Sequence, residues 1–177
     1  QDISLDSTNR ALMVYQLAEE RFVPFWHFHP EIELTLITAG NGVRFVGDHV
    51  STYSAGDLVL IGKNIPHQWV SSSISMENKA IVLHFSSKLF DHYAEFEKIH
   101  RLLHLAKKGI WYTLAKVPLI KQIEAIPDLP PALQVSQLIQ VLNHLSADKD
   151  RQILSKASDF NLSPNKKQIA RIETVIN

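Results

Sequence analysis

Apolar residues in the first half of the chain form short runs of the kind that β-strands use. Between residues 11 and 86 these runs are separated by turn sequences such as Asn41-Gly42 and Gly47-Asp48. Asn-Gly between two strand-like runs is a strong hairpin signal, because both central residues of the turn must take positive φ. Many short strands joined by turns at this spacing predict a β-barrel or a β-sandwich.

One of these runs carries apolar residues on both faces. Ile32, Leu34 and Leu36 alternate with a second set that includes Glu33 and Ile37. Because side chains alternate along a strand, we expect one face to line the barrel. The other face should be covered by later helices or by a partner.

From Ser87 onwards the apolar pattern takes the period of amphipathic helices. Apolar residues between positions 89 and 103 fall three or four apart, which predicts a helix that ends at Lys107 and Lys108 and is capped by Gly109. A short strand-like piece follows at 110–112, and residues 114–126 have the pattern of a second helix.

A third helix is predicted to begin at Pro131, since proline suits the first helical position. Its apolar stripe consists of Leu133, Leu138, Val141, Leu142 and Leu145. This stripe alone does not decide whether the helix packs on the barrel or on the same helix of a second subunit.

These patterns divide the chain into three parts. Residues 1–87 form the expected barrel, residues 88–154 form a helical region, and residues 155–177 form a linker followed by the start of another helix. The chain begins at Gln1 and ends at Asn177 within that helical pattern, so we expect it to be a piece of a longer protein.

Composition and charge limit what the chain can do by itself. Eighteen Lys and Arg balance eighteen Asp and Glu with no long basic run, whereas DNA binding requires clustered cations that displace counterions. We therefore expect weak binding to nucleic acid. Cysteine is absent, which excludes disulfides and thiolate chemistry. The lack of a long apolar run or a signal-peptide pattern favours a cytoplasmic protein without membrane contact.

The strongest chemical signal is the segment HFHPEIE at positions 27–33. His27, His29 and Glu33 share parity, so on a continuous strand they would point to one face. A later turn delivers His67 to the start of another strand-like run. Three imidazoles and a carboxylate that converge in a barrel would form a metal site with open positions, suited to Zn, Fe, Mn, Ni or Cu. The same groups could instead hydrogen-bond a small effector.

Four further residues are candidates for lining a ligand cavity: Phe25, Arg44, Trp69 and His84. An aromatic wall and a cation would suit a sugar or a carboxylate. For Phe25 and Trp69, plain core packing is the alternative.

These residues resemble the two sequence motifs of the cupin family. The first motif, H-x-H-x3-E-x6-G, is matched in register by His27, His29, Glu33 and Gly40, and the second is matched by Gly56 and His67. The resemblance implies a cupin-like double-stranded β-helix barrel with a divalent metal (Zn, Ni, Fe or Mn) at the four ligand positions.

The departures from the motifs fall mostly at turn positions. The glycine expected six residues before the first histidine is Arg21. In the second motif, Gly62, Asn64 and Ser71 replace a proline, a glycine and an asparagine. Asn64 can still adopt positive φ.

The wider resemblance is to the N-terminal domain of AraC-family transcription regulators, in the stretches 26–34, 44–49 and 56–62 and in the order of the helices. It implies a barrel that senses a small-molecule effector, for instance a sugar, and helices that form a homodimer. It also implies that DNA is bound only by a helix-turn-helix module beyond this piece, because 169–177 resembles the helix that leads into that module. No catalytic residues are expected on this hypothesis.

Two other functions remain open. A metal-dependent cupin enzyme, such as a dioxygenase or an isomerase, would use the same three histidines and one glutamate to activate water or oxygen. A metal-free carbohydrate-binding module would retain its saccharide affinity in the presence of a chelator.

Overall fold

The computed structural model describes residues 10–72, 77–113 and 117–156. In the described ranges seven strands come first, and two short strands follow, one among the helices and one after the last helix. The strands are β1 (Leu12–Glu19), β2 (Ile32–Ala39), β3 (Asn41–Val46), β4 (His49–Ser54), β5 (Leu58–Ile61), β6 (His67–Ser71), β7 (Asn78–Phe85), β8 (Ile110–Tyr112) and β9 (Arg151–Ile153). The α-helices are α1 (Glu97–Leu105), α2 (Val117–Glu124) and α3 (Pro131–Ala147).

The strands form two antiparallel sheets. The larger sheet has the order β1-β7-β2-β5-β8-β9 and the smaller one the order β4-β3-β6. The predicted Gly47-Asp48 turn joins β3 to β4, and Gly47 has φ +58. The predicted Asn41-Gly42 turn is wrong, because both residues are paired within β3 and the positive φ before this strand belongs to Gly40, at +93. The sheet prediction for residues 11–86 is therefore confirmed.

The two faces of β2 have different neighbours, as the alternation predicts. Ile32, Leu34 and Leu36 pack in the large core that the helices cover. Glu33 and Ile37 point between the sheets, where they line a cavity. The cover on the outer face of this strand is thus supplied by helices of the same chain.

The apolar stripe of α3 is used inside the chain. Leu138, Val141, Leu142 and Leu145 are completely buried in the core shared with α1 and the large sheet. Each such side chain contributes about 1.5–3 kcal/mol through burial. Leu133, at the start of the helix, is 53% exposed and stands outside this core. Of the two alternatives for the stripe, the structure supports packing on the barrel.

The helix predicted after Ser87 is interrupted. Two 3-10 turns, Ser87–Phe90 and Ala94–Phe96, precede α1, which begins only at Glu97. His92 between them has φ +76, a left-handed conformation that an α-helix cannot contain. The apolar spacing is kept in part: Phe90, Phe96 and Ile99 pack on the same core, whereas Tyr93 is 66% exposed.

The segment after residue 87 also contributes to the sheet. β8, predicted as a strand-like piece, pairs with β5 and with β9. The sequence gives no sign of β9, since Arg151-Gln152-Ile153 shows neither a long apolar run nor alternation. The predicted second helix is present as α2, whereas the further helix expected at the chain end lies outside the described residues. Within the described ranges, no helix has the length and hydropathy needed to cross a membrane.

Candidate metal and ligand site

The four residues matched to the motifs come together in the structure. One ligand atom each from His27, His29, Glu33 and His67 lies within 4.8 Å of the others. The reason differs from the one predicted, because β2 begins only at Ile32 and the segment before it is not a continuous strand. His27 instead forms an isolated bridge to His67, with N···O distances of 3.2 and 2.9 Å between their backbones.

The turn before β6 holds His67 in place. The backbone N–H of Asn64 donates to the carbonyl oxygen of His29 at 2.8 Å, which ties this turn to the first motif. Asn64 has φ +58, the left-handed conformation that asparagine tolerates better than most residues. The replacement of the motif's glycine by Asn64 therefore preserves the local backbone.

Two imidazoles are oriented through their Nδ1 atoms. Nδ1 of His27 lies 2.8 Å from the carbonyl oxygen of Phe25, and Nδ1 of His67 lies 2.7 Å from that of Ile65. A carbonyl oxygen only accepts, so each Nδ1 carries the hydrogen and each Nε2 is left for another partner. Metal-binding histidines commonly show this arrangement.

Glu33 lies at the centre of the cluster. Its Oε2 is 3.0 Å from Nε2 of His29 and 2.8 Å from Nε2 of His84, and its Oε1 accepts from Thr35 at 2.5 Å. Burial opposes ionisation of this carboxyl, but the charge of His67 and the histidine hydrogen bonds hold its pKa well below the usual value. Glu33 is therefore ionised at neutral pH.

The pKa values of two histidines in the cluster are shifted in opposite directions. Burial, followed by the neighbouring His67, lowers the pKa of His27 to about 4. Burial also disfavours the charged form of His67, but Glu33 outweighs it and raises the pKa of His67. His27 is thus neutral near pH 7, whereas Glu33 favours the protonated form of His67 when no metal is bound.

The cluster fits a divalent transition metal. Nε2 of His67 is buried and lies 3.3 Å from Oε2 of Glu33, so this nitrogen could serve as a ligand once it has lost its proton. Three imidazole nitrogens and one carboxylate oxygen suit Zn, Ni, Fe or Mn. An ion held by these four residues alone could take a further ligand from the adjoining cavity, which His27 and Glu33 also line.

One histidine and one glutamate outside the motifs contact the residues of the cluster. His84 stands directly opposite Glu33 in the β2–β7 register, which explains their contact, and its ring centroid is 4.2 Å from that of His29. The buried carboxylate of Glu31 lies 3.5 Å from Nδ1 of His29. Glu31 is not among the residues predicted from the sequence, although position 31 has the same parity as 27, 29 and 33, which is the signal that selected those three residues.

A cavity of about 620 Å³ adjoins the cluster. It lies between the sheets, with His27, Glu33 and His84 among its lining residues. Its walls are mostly apolar and aromatic; they include Tyr15, Phe22, Ile37, Trp69 and Val82. The volume falls within the range of small-molecule sites.

Three of the four residues predicted to line a cavity do so. Phe25 is 62% exposed at the edge and stacks on His27, with 4.9 Å between ring centroids. Trp69 packs beside Ile37, and its Nε1 is buried without a hydrogen-bond partner. His84 lies on the wall and on Glu33 as described.

Arg44 is the exception and does not line this cavity. Its side chain is completely buried, with Nη1 2.5 Å from Asp57, Nη2 2.9 Å from Ser51 and its guanidinium over the ring of Trp111. A buried cation requires a compensating anion, and Asp57 supplies it. Arg44 therefore fills another part of the barrel interior and cannot meet a ligand there.

Comparison with known proteins identifies the fold. Residues 13–82 match the family described as Cupin domain. The structure of ToxT from Vibrio cholerae strain SCE256 with an unsaturated fatty acid bound gives a TM-score of 0.52 at 16% identity, over 76% of this chain and 52% of that chain. A Cupin 2 conserved barrel domain protein from Salinispora arenicola CNS-205 gives a TM-score of 0.40 at 18% identity, over 47% of this chain and 70% of that one.

An RmlC-like cupin from Shewanella frigidimarina NCIMB 400 gives a TM-score of 0.39 at 16% identity, over 46% of this chain and 72% of that chain. No curated protein sequence matches the chain. The chain spans about half the length of ToxT. The architecture is a cupin barrel of antiparallel sheets followed by C-terminal helices, which confirms the predicted fold class.

Proposed function

We propose that this cupin-fold chain is the effector-sensing part of an AraC-type transcription regulator, with a transition metal at the histidine–glutamate cluster. The observation that carries the proposal is that the ligand atoms of His27, His29, Glu33 and His67 lie within 4.8 Å of one another beside a cavity of about 620 Å³. A ligand in this cavity would be in reach of the metal. The AraC-like stretches of the sequence and the helices after the barrel supply the regulatory part of the proposal.

A ligand-bound neighbour with the same fold supports a sensing role. The likeness to ToxT extends over 76% of this chain, more than the 70 residues of the Cupin domain match, and that structure holds an unsaturated fatty acid. Transfer of a ligand-binding role from ToxT to this chain is part of the proposal. For such a ligand to control transcription, it must bind two arrangements of the protein with different affinity.

The cluster's residues have distinct tasks on this proposal. A bound divalent metal would supply a Lewis-acidic position for an oxygen or nitrogen of the effector. His27 and His67 present Nε2, because backbone carbonyls hold their Nδ1 atoms. His84 and Thr35 keep the carboxylate of Glu33 in place.

The partners proposed are a second copy of the chain and, through a module beyond this piece, DNA. Pairing of two copies would set the spacing of two DNA half-sites. The protein would act in the cytoplasm.

A metal-dependent enzyme is the second candidate function. The same four residues would leave a metal open to substrate, and the adjoining cavity could hold that substrate. The dioxygenase and isomerase classes are the ones to screen.

Metal binding is tested first. We expect the chelator-treated chain to bind one Zn²⁺ or Ni²⁺ per chain in isothermal titration calorimetry, and His67→Gln to weaken that affinity at least 100-fold, since it removes a ligand while keeping a side chain of similar polarity. The matched control is His104→Gln on the exposed face of α1. Equal affinity of the wild type and His67→Gln would remove the metal from the proposal.

Two measurements then distinguish a regulator from an enzyme. On the regulator hypothesis, the full-length protein loaded with metal should bind DNA from the region upstream of its own gene in a mobility-shift assay, and this binding should depend on a ligand in the cavity. Turnover of a substrate by the metal-loaded chain, without an effect on DNA binding, would favour the enzyme instead.

A further inference from the structure

We infer that the cavity binds an amphipathic acid, a molecule with an apolar body and one carboxylate, and that Arg21 binds the carboxylate. This inference deepens the proposed function and rests on it only in taking the cavity as the ligand site. It replaces the sugar expected from the sequence with a different chemical class.

The walls determine the body of the ligand. Ile37, Ala80 and Val82 come from the large sheet, and Phe22 and Trp69 close the cavity from other segments. None of the first four carries a side-chain hydrogen-bonding group. A sugar has a hydroxyl on nearly every carbon, and each hydroxyl left unpaired against such walls would cost about 1–3 kcal/mol. An aliphatic or aromatic body carries no such cost.

Arg21 determines the charge of the ligand. It lines the cavity and is half-buried, and its Nε is buried without a hydrogen-bond partner. In the described part of the chain it forms no ion pair, whereas Arg44 is paired with Asp57 and Arg101 with Glu97. Cationic guanidinium groups bind carboxylates well, so Arg21 offers the cavity a cation that no carboxylate of the described residues occupies.

Neither acidic residue that lines the cavity is paired with this cation in the described ranges. Glu19 is exposed and makes no ion pair with Arg21, and Glu33 contacts His29, His67 and His84 instead. Arg21 stands where the first cupin motif has a glycine, so the positive charge distinguishes this chain from the motif. At ordinary organic packing density, about 620 Å³ holds roughly 20 non-hydrogen atoms, enough for a medium-chain acid.

The probe is decanoate, compared with decan-1-ol, which has the same chain length and no charge, and with arabinose. Binding to the 177-residue chain is measured by calorimetry in the presence of a chelator, with Trp fluorescence as a second readout. We expect decanoate to bind about tenfold more tightly than decan-1-ol, and arabinose not to bind.

Two variants locate the binding. Arg21→Gln should reduce decanoate affinity about tenfold and leave decan-1-ol affinity unchanged, while Arg101→Gln, an exposed arginine on α1, should change neither. Val82→Trp, which fills the cavity, should abolish binding of both probes; circular dichroism checks its fold.

Equal decanoate affinity of the wild type and Arg21→Gln, or binding of arabinose without decanoate, would overturn the inference. The two proposals fail separately. Decanoate binding without metal binding would leave the inference standing and remove the metal site, and metal binding without decanoate binding would do the reverse.

Discussion

At the scale of single residues, Glu33 and Arg44 are both buried and charged, and each is paired with side chains that only the folded barrel brings close. The two motifs named His27, His29, Glu33 and His67 because side-chain type and spacing are visible in a sequence. The partner of Arg44 could not be predicted in the same way. Asp57 lies thirteen positions away, and only the folded barrel brings its carboxylate to the guanidinium. The sequence therefore places Arg44 at a ligand, whereas the structure places it in a buried ion pair with Asp57.

The first prediction concerns the support of Glu33. His84→Phe removes the hydrogen bond to Oε2 of Glu33 while keeping a ring beside His29. We expect metal affinity to fall about 10- to 100-fold, as for other residues that orient a metal ligand. Calorimetric titration with Zn²⁺ measures this effect. His144→Phe on α3 is the control, and an unchanged affinity for His84→Phe would show that Glu33 is held without it.

The second prediction is a stability maximum near pH 6.5 for the metal-free chain. Between pH 6.5 and about 4 the unfolded chain binds the proton that folded His27 refuses, so stability falls as the pH falls. Glu33 adds to this loss at lower pH, because its folded pKa is depressed and its stabilisation disappears on protonation. His67 acts in the opposite direction. Its folded pKa is raised, so its contribution is complete below pH 6.5 and is lost as the pH rises through the raised value.

Urea unfolding at pH 4.5, 6.5 and 8.5 with chelator measures these changes. His27 alone should account for about 1–2 kcal/mol of the acid loss, an amount reduced for its partial exposure. His27→Gln should reduce the loss of unfolding free energy between pH 6.5 and 4.5 and leave its change between pH 6.5 and 8.5 as in the wild type. A profile of His27→Gln that matches the wild type would assign the acid loss to other groups.

At the scale of elements, alternation was a better guide than helical period. The strands of the barrel were predicted because each has a buried and a differently placed face, as β2 shows. The first helix was extended too far, since a period of three or four does not reveal the left-handed residue His92. β9 was missed because its pairing with β8 comes from the closing of the sheet and leaves no apolar pattern.

The turn that delivers His67 provides the third prediction. Asn64 has φ +58, a value that glycine adopts without steric strain and that strains a β-branched residue. Asn64→Gly should change the free energy of unfolding by less than about 0.5 kcal/mol, and Asn64→Val should lower it by about 1–2 kcal/mol. The backbone N–H of Asn64 donates a hydrogen bond to the carbonyl oxygen of His29. Because strain at Asn64 would displace this contact with a ligand residue, Asn64→Val should weaken metal binding too. Lys63→Val, at an exposed neighbour, is the comparison.

The fourth prediction concerns the stripe of α3. Leu142 is completely buried among residues of the barrel and the helices. Leu142→Ala should lower the free energy of unfolding by about 2–5 kcal/mol, because it creates a cavity in a packed core. Leu133→Ala removes the same atoms from a half-exposed position and should cost less than about 1 kcal/mol. Equal losses would mean that the helix does not anchor on the barrel as described.

At the scale of the whole molecule, the helices belong to the body of the barrel. β8 and β9 extend the large sheet, and α1 and α3 share its core, so a change at the cavity wall can reach the helices through β2 and β7. One face of β7 lines the cavity and the other packs under the helices. This continuity offers a physical route by which a ligand could favour one arrangement of the helices.

The last prediction is a dimer that uses the side of α3 turned away from the core. The apolar stripe is already buried, so any pairing through this helix must use its outward residues, among them Leu133, Gln140 and His144. This face is mainly polar with one exposed leucine, which favours a weak dimer with a dissociation constant of about 1–100 μM. Size-exclusion chromatography with light scattering over that range of concentration should show a shift from monomer to dimer. Leu133→Glu should shift the equilibrium to the monomer without lowering stability, whereas Leu17→Glu at the exposed end of β1 should leave it unchanged. A strict monomer at millimolar concentration would take the pairing role away from α3, and the barrel surface would then have to supply any contact between two copies.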